Sequence, residues 1–405
     1  MRAILYCALL ILVAACAMGE PPQLLSPEDE MALDDVLRSA VAAGGVPGVV
    51  ALVATRDSVI YRGVYGVMDA VGDEAMTDDA IFRIASMTKP ITSVGIMMLR
   101  EDGLLDLDDA ASEYLPELAD REVLVEINSA DSSVTTRPAT RPITIRDLLR
   151  HTAGIGYSFS SHELLELARS TDIPAREQPL LHDPGTRWTY GMSTAFLGWV
   201  IEEVTGETLP EFFESRILRP LGMVDTGPDL AQESHHRLVA MYRRVDGVLQ
   251  GEPRPDQYRP EFRGDGGLLS TADDYVRFMQ MILGSGERDG VRLLTQESVS
   301  EMVQNQLEGV VVVEQPGAIP STSRAFPLGA GQDGFGLGFQ ISFGESVGGR
   351  PPGSLSWAGI ANTHFWIDRE NEIAVVLLVQ LLPFYDEMAI DFLTSFERTL
   401  YSQIY

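Results

Sequence analysis

The chain has 405 residues, with 30 Lys and Arg against 59 Asp and Glu, a formal charge of −29. Its 45% hydrophobic and 22% charged residues can build a large core, which excludes a disordered chain, and its 37 glycines follow no fixed period, which excludes a collagen-like one. A chain this acidic has no basic footprint for a polyanion, so a nucleic-acid partner is excluded and the acidity reads as a solvated surface. At about 150 residues per domain, the length predicts two or three structural units.

Met1-Arg2 opens a run of apolar or small residues from Ala3 to Gly19, which ends at Glu20-Pro21-Pro22. A short positive start, an apolar run and small residues before a polar break read as a secretory signal over residues 1–19. The run is slightly short for a membrane span. Val13-Ala14-Ala15-Cys16 has the form of a bacterial lipobox, in which Cys16 would be lipidated and become the first mature residue. Ala15-Cys16-Ala17 also fits ordinary cleavage; the lipidated form is the favoured reading. The expectation is an exported protein, periplasmic or lipid-anchored to the bacterial outer membrane, with a possible membrane tether only through Cys16. Both cysteines, Cys7 and Cys16, fall in this segment, so the mature chain is expected to have no disulfide and no catalytic thiol.

Residues 49–54 and 59–67 are short β-rich runs separated by Thr55-Arg56-Asp57-Ser58, which predicts a hairpin. Residues 91–99 are apolar nearly all round, the pattern of a buried helix, with Pro90 in its first turn and Asp102-Gly103 as its stop. Helical patterns follow at 144–151, 162–169, 194–204, 209–218 and 272–283, and residues 129–142 read as a surface loop. Strand signals return at 335–343, 364–367 and 373–379, the last broken by Gln380 and therefore a buried strand rather than a span. A helix near 388–401 closes the chain. Strands at both ends with helices between predict one α/β domain built from residues 22–100 and 284–405, with a helical domain inserted over 101–283.

Lys89 is the only lysine among the 30 basic residues; the other 29 are arginines. Ser86-Met87-Thr88-Lys89 stands at the start of the buried helix, where a spacing of three puts both side chains on one face. An unaided serine hydroxyl is a poor nucleophile, and a desolvated lysine beside it can be neutral and accept its proton.

The segment Phe82-Arg83-Ile84-Ala85-Ser86-Met87-Thr88-Lys89 resembles the active-site segment of class C β-lactamases and their relatives, the family VIII carboxylesterases, D-amino-acid peptidases and acyltransferases. The resemblance continues, in order, through Asp147-Leu148-Leu149-Arg150-His151-Thr152-Ala153-Gly154, Asp183-Pro184-Gly185-Thr186-Arg187-Trp188-Thr189-Tyr190, Gly266-Gly267-Leu268-Leu269-Ser270-Thr271-Ala272-Asp273-Asp274 and Trp357-Ala358-Gly359. It implies a β-lactamase/transpeptidase-like α/β (α+β) fold, an antiparallel sheet flanked by helices. It implies Ser86 as nucleophile, Lys89 as its activating partner and Tyr190 as a general base, with backbone N–H groups of Ser86 and Ile360 as the oxyanion hole. Met192 stands where the family's Y-x-N motif has asparagine, so one polar substrate contact of true β-lactamases is missing; Met192, Trp357, Ala358, Gly359 and His364 are the expected substrate contacts. Trp357-Ala358-Gly359 stands where lactamases have K-T-G and the esterase branch often has W-G-G. A neutral indole there suits acyl or aryl groups better than a carboxylate.

Other patterns carry less. Gly344-Glu345-Ser346-Val347-Gly348 matches G-x-S-x-G, but Gly349-Arg350-Pro351-Pro352 cannot begin the helix that a nucleophile elbow needs. Gly329-Ala330-Gly331-Gln332-Asp333-Gly334 precedes a strand pattern, not the helix of a dinucleotide site. Asp147 and His151 lie at i and i+4, yet without H-E-x-x-H they read as structural, so no metal is expected. His364 lines the pocket or is a satisfied structural histidine, the latter favoured. The expectation is therefore an exported serine hydrolase without metal or organic cofactor, a carboxylesterase for small to medium acyl esters. The alternatives are a β-lactamase or D-amino-acid peptidase, an acyltransferase, or a membrane-anchored binding or sensor protein that acylates slowly. The partner is a small-molecule ester or amide.

Overall fold

The computed structural model describes residues 24–69, 74–128, 131–255, 261–344, 346 and 348–404. The expected signal segment and Cys16 lie outside the described residues.

Seven antiparallel strands form the central sheet: β1 (Gly48–Thr55), β2 (Val59–Gly66), β3 (Gly334–Phe335), β4 (Gln340–Ile341), β5 (Leu355–Gly359), β6 (Thr363–Asp368) and β7 (Ile373–Leu378), in the spatial order β3-β4-β5-β6-β7-β1-β2. The two ends of the chain meet where β1 pairs with β7, Val50 opposite Leu378 through to Thr55 opposite Ile373. Both strands are covered on both faces and accordingly read as unbroken apolar runs. Val49, Ala51 and Val53 join Ile373, Val375 and Leu377 against Leu33 and Leu37 of α1 (Pro27–Ala42) and Phe392, Phe396 and Leu400 of the C-terminal helix (Glu387–Ile404). Val50, Leu52 and Ala54, with Val376 and Leu378, face the main core on the other side. The expected strand over 335–343 is two short strands, β3 and β4, turned through Gly336 to Phe339.

The helices that frame the site and the sheet, numbered with α1, are α2 (Thr88–Glu101), α3 (Ile145–Leu149), α4 (His162–Ser170), α5 (Ser193–Thr205), α6 (Leu209–Phe213), α7 (Ala272–Leu283) and the C-terminal α8. Thr144 and Thr271 cap α3 and α7 through N–H bonds from Asp147 and Asp274, so polar side chains fix where each begins. The buried α2 packs against α5, and α5 against α3. Two expectations change. Helix α7, placed by its sequence neighbours in the 101–283 insertion, packs on β1 and β7, because Phe278, Met279 and Ile282 complete the sheet's core. Residues 129–142, expected as a surface loop, supply a strand, Ser133–Pro138, paired with Glu122–Asn128; the β-branched run Val134-Thr135-Thr136 favours extended backbone.

Candidate active site

Ser86 lies in a 3-10 turn, Ala85–Met87, that runs directly into α2. The turn is entered through Ala85 at φ 45°, a left-handed conformation costly for a residue with a Cβ, and is pinned by the Ile84 N–H on the Leu268 carbonyl at 3.1 Å. Ser86 keeps partial exposure, while Lys89, in the first turn of α2, is 2% exposed. Lys89 Nζ donates to Ser86 Oγ at 3.1 Å, to the Tyr157 hydroxyl at 3.2 Å and to the Asp265 carbonyl at 2.8 Å. The Tyr157 hydroxyl in turn donates to the Asp265 carboxylate, which also accepts from Arg263 Nε at 3.0 Å. Burial, with the Asp265 charge beside it, holds the Tyr157 phenol well above its ordinary range, so Tyr157 stays protonated. All three oxygens that receive the ammonium are therefore uncharged.

Tyr190 is buried beneath this cluster, with Lys89 Nζ 4.8 Å from its ring centroid. Its hydroxyl accepts from Trp357 Nε1 at 3.4 Å, the two rings lying 4.8 Å apart. The expected Lys89–Tyr190 partnership is thus made through the ring face, and the phenol oxygen that Lys89 reaches belongs to Tyr157. Gly191 makes this possible: a Cβ there would stand 2.0 Å from the Ile155 carbonyl, so only glycine lets the Tyr157 segment cross the Tyr190 segment so closely. Sequence reasoning missed Tyr157 and Asp265. The signal was modest: an Ile-Gly-Tyr run directly after the Asp147–Gly154 motif, and an Asp before Gly266-Gly267.

The far wall of the site is the end of β5. Gly359 abuts the nucleophile turn, since a Cβ there would lie 2.3 Å from the Ile84 carbonyl. Ile360, next along the chain, is thereby carried to the neighbourhood of Ser86. Around Tyr190 stands an aromatic wall in which Trp188, Phe326 and His151 lie 6.4, 5.6 and 5.1 Å away by ring centroid. His151, at φ 57°, is buried with Nδ1 unpartnered, and burial and the nearby Lys89 hold it well below the ordinary histidine range. It is a neutral ring of this wall.

The structure brings Ser86, Lys89, Tyr190, Trp357 and Gly359 together. Met192, expected as a substrate contact, is 4% exposed and packs into the core at the start of α5. Ala358 and His364 face each other across β5 and β6 and, because side chains alternate along a strand, lie on the sheet face opposite the Trp357 ring. Asp147 is ionised despite its burial, held down to about 2 by Arg141, the Thr144 N–H and Arg150, which gives it a structural role. Ser346 is engaged as well: it donates to Glu397 and accepts the N–H groups of Gly349 and Arg350, each at 2.9 Å, and no helix follows it.

The Beta-lactamase family model matches residues 33–397. The chain is 30% identical over 399 residues to the lovastatin esterase of Penicillium rubens, covering 91% of this chain and 98% of that one. It is 29% identical over 404 residues to the ML-236A carboxylate methylbutanoyltransferase of Penicillium citrinum, covering 92% and 94%. Among solved structures, a mutant of the simvastatin synthase of Aspergillus terreus superposes with a TM-score of 0.80 at 25% identity, over 94% of this chain and 98% of the other.

Proposed function

This chain belongs to the β-lactamase family, an enzyme family of serine hydrolases with esterase and acyltransferase members, and we propose on that premise that it is a carboxylesterase for small to medium acyl esters. The observation that carries the reading is the pairing of a Lys89–Ser86 hydrogen bond at 3.1 Å with an uncharged aromatic wall, Tyr190 and Trp357, where a lactamase has a cation. Such a wall offers apolar area to an acyl group and nothing to grip a carboxylate.

The steps follow from the geometry. With Lys89 in its neutral form the Ser86 hydroxyl donates across the same 3.1 Å contact, and Ser86 Oγ attacks the ester carbonyl as Lys89 Nζ takes its proton. We assign the oxyanion to the N–H groups of Ser86 and Ile360; the close approach of Gly359, which precedes Ile360, to the Ile84 carbonyl supports this reading. The proton then passes to the departing alkoxide, the alcohol leaves, and water deprotonated within the Lys89–Tyr190 cluster releases the acid and regenerates Ser86. Tyr157 and Asp265 position Lys89. An alcohol taking the place of that water would give acyl transfer by the same steps, and the likeness to a methylbutanoyltransferase favours this as the second reading. Export, with anchoring through a lipidated Cys16, belongs to the same proposal and rests on the leader pattern of residues 1–19.

Steady-state hydrolysis of p-nitrophenyl butyrate by the mature protein, beside Ser86→Ala, tests the reading. Wild-type turnover lost in Ser86→Ala supports it; turnover that survives the substitution overturns it. Hydrolysis of nitrocefin in preference to the ester would assign a lactamase instead.

A further inference from the structure

On the α8 side of the sheet the structure encloses a cavity of about 100 Å³, whose wall includes Ala358, His364, Thr394, Phe326 and Phe384. His364 is 7% exposed, and its Nε2 is buried without a hydrogen-bond partner. A buried polar atom left unpaired is uncommon, and its partner is then a ligand or a water. The favoured reading of His364 as a satisfied structural histidine is thus not what the structure contains.

The chemistry of the wall narrows the ligand. Arg350 Nε and Nη2 are held by the Glu397 carboxylate at 2.9 and 2.6 Å, so the wall presents a neutralised pair rather than a free cation. Asp333 adds a carboxyl group, further disfavouring an anion. Burial and the Arg350 charge push His364 down to about 3, which leaves a neutral imidazole with one donor and one acceptor nitrogen. The aromatic rings supply apolar contact. A cavity of about 150 Å³ takes benzene, so this one has room for a group of about four heavy atoms.

Its position ties it to the reaction. Trp357 lines both the cavity and the Tyr190 wall. The Phe326 ring lies 5.6 Å from that of Tyr190 and 5.1 Å from that of Phe384, which stacks on His364 at 6.3 Å.

We propose that this cavity is a subsite for a short aliphatic group carrying an uncharged hydroxyl, with His364 as its hydrogen-bonding partner, adjoining the acylation site across Trp357. The hydroxyl belongs to a free short alcohol, because the cavity wall includes none of Ser86, Lys89 and Tyr190 and His364 lies on the sheet face opposite the Trp357 ring, so the inference does not rest on the esterase reading.

Two measurements test it. Saturation-transfer NMR of propan-2-ol with Ser86→Ala, and with Ser86→Ala/His364→Phe, needs no turnover. Transfer present in the first protein and lost in the second assigns a free alcohol. The second measurement is kcat/KM for p-nitrophenyl 3-hydroxybutanoate relative to p-nitrophenyl butanoate, in the wild type, His364→Phe and Thr394→Leu, which fills the cavity from α8. The ester ratio should be the same in all three proteins; a preference of about tenfold for the hydroxy ester, abolished in both variants, would put the acyl arm in the cavity and overturn the free-alcohol assignment. Thermal unfolding of each variant identifies misfolding. Alcohol binding without turnover of either ester would keep the subsite and remove the esterase reading. No alcohol binding to Ser86→Ala, or binding that persists in Ser86→Ala/His364→Phe, overturns the subsite.

Discussion

Lys89 and Arg350 are both buried cations, one in the nucleophile cluster and one on the α8 side of the sheet, and they are satisfied in opposite ways. Lys89 gives its three hydrogen bonds to uncharged oxygens from three separate segments, and the nearest carboxylate, Asp265, is reached only through Tyr157. Arg350 gives two parallel bonds to the single carboxylate of Glu397. A guanidinium forked onto a carboxylate is a fixed structural joint, because neither partner can give up its charge without stranding the other. An amine held by neutral oxygens can lose a proton without stranding a charge, and the Ser86 hydroxyl can then turn to donate to it, which is what proton transfer to and from Ser86 requires. The two clusters differ in what the loss of a partner would damage: chemistry in the first, stability in the second.

The largest expected effect is on the first cluster. Lys89→Met should lower kcat for p-nitrophenyl butyrate by about 10³–10⁴-fold, and Lys89→Arg should not rescue it, since a guanidinium cannot be deprotonated in a protein. Glu397→Gln leaves Arg350 buried and unpaired, and urea unfolding should record a loss of about 3–5 kcal/mol. If Lys89→Met unfolds the protein as strongly as Glu397→Gln does, the contrast between the clusters fails. Gly359→Ala places a Cβ 2.3 Å from the Ile84 carbonyl and must push β5 off the nucleophile turn; kcat/KM should fall about 100-fold. An unaffected enzyme would mean that the end of β5 does not set the geometry at Ser86.

The smallest effect is a pH dependence common to both regions. His364 falls from 6.5 to about 3, and His151 is also held well below its ordinary value, each mainly by burial. Folded-state values below the unfolded one mean that stability is complete above pH 6.5 and is lost as pH falls toward the folded value. Each histidine should contribute a slope of about 1.4 kcal/mol per pH unit in that window. Urea titrations at pH 7 and pH 5 should show the loss, and His364→Phe and His151→Phe should each flatten it. A slope unchanged in both variants would place the titrating groups elsewhere.

Much of the site was legible because its parts are local or chemically conspicuous. Ser86 and Lys89 are three residues apart at the start of a helix, a spacing that by itself puts them on one side, and a lone lysine among 29 arginines marks its position. Helix α7 was found at its residue limits, 272–283, from its helical pattern, yet its packing on β1 and β7 was not legible, since the face a helix buries does not say which layer covers it. Tyr157 was not legible because its role depends on a backbone crossing at Gly191, and a crossing of segments some 35 residues apart leaves no periodic trace.

The sequence by itself determined the N-terminal hairpin, the last two strands of the sheet and the helices from α2 onward, the pairing of Ser86 with Lys89, and the replacement of a cation by Trp357, because periodicity, short-range spacing and residue identity are properties of a linear chain. Only the tertiary structure decided which phenol oxygen meets Lys89, that Tyr190 offers it a ring face, and that His364 lies unpartnered across the sheet from the Trp357 ring. Those relations are set by the closing of β1 on β7 and of β5 on the Ile84 turn, long-range packing in which one strand register decides the face every side chain takes.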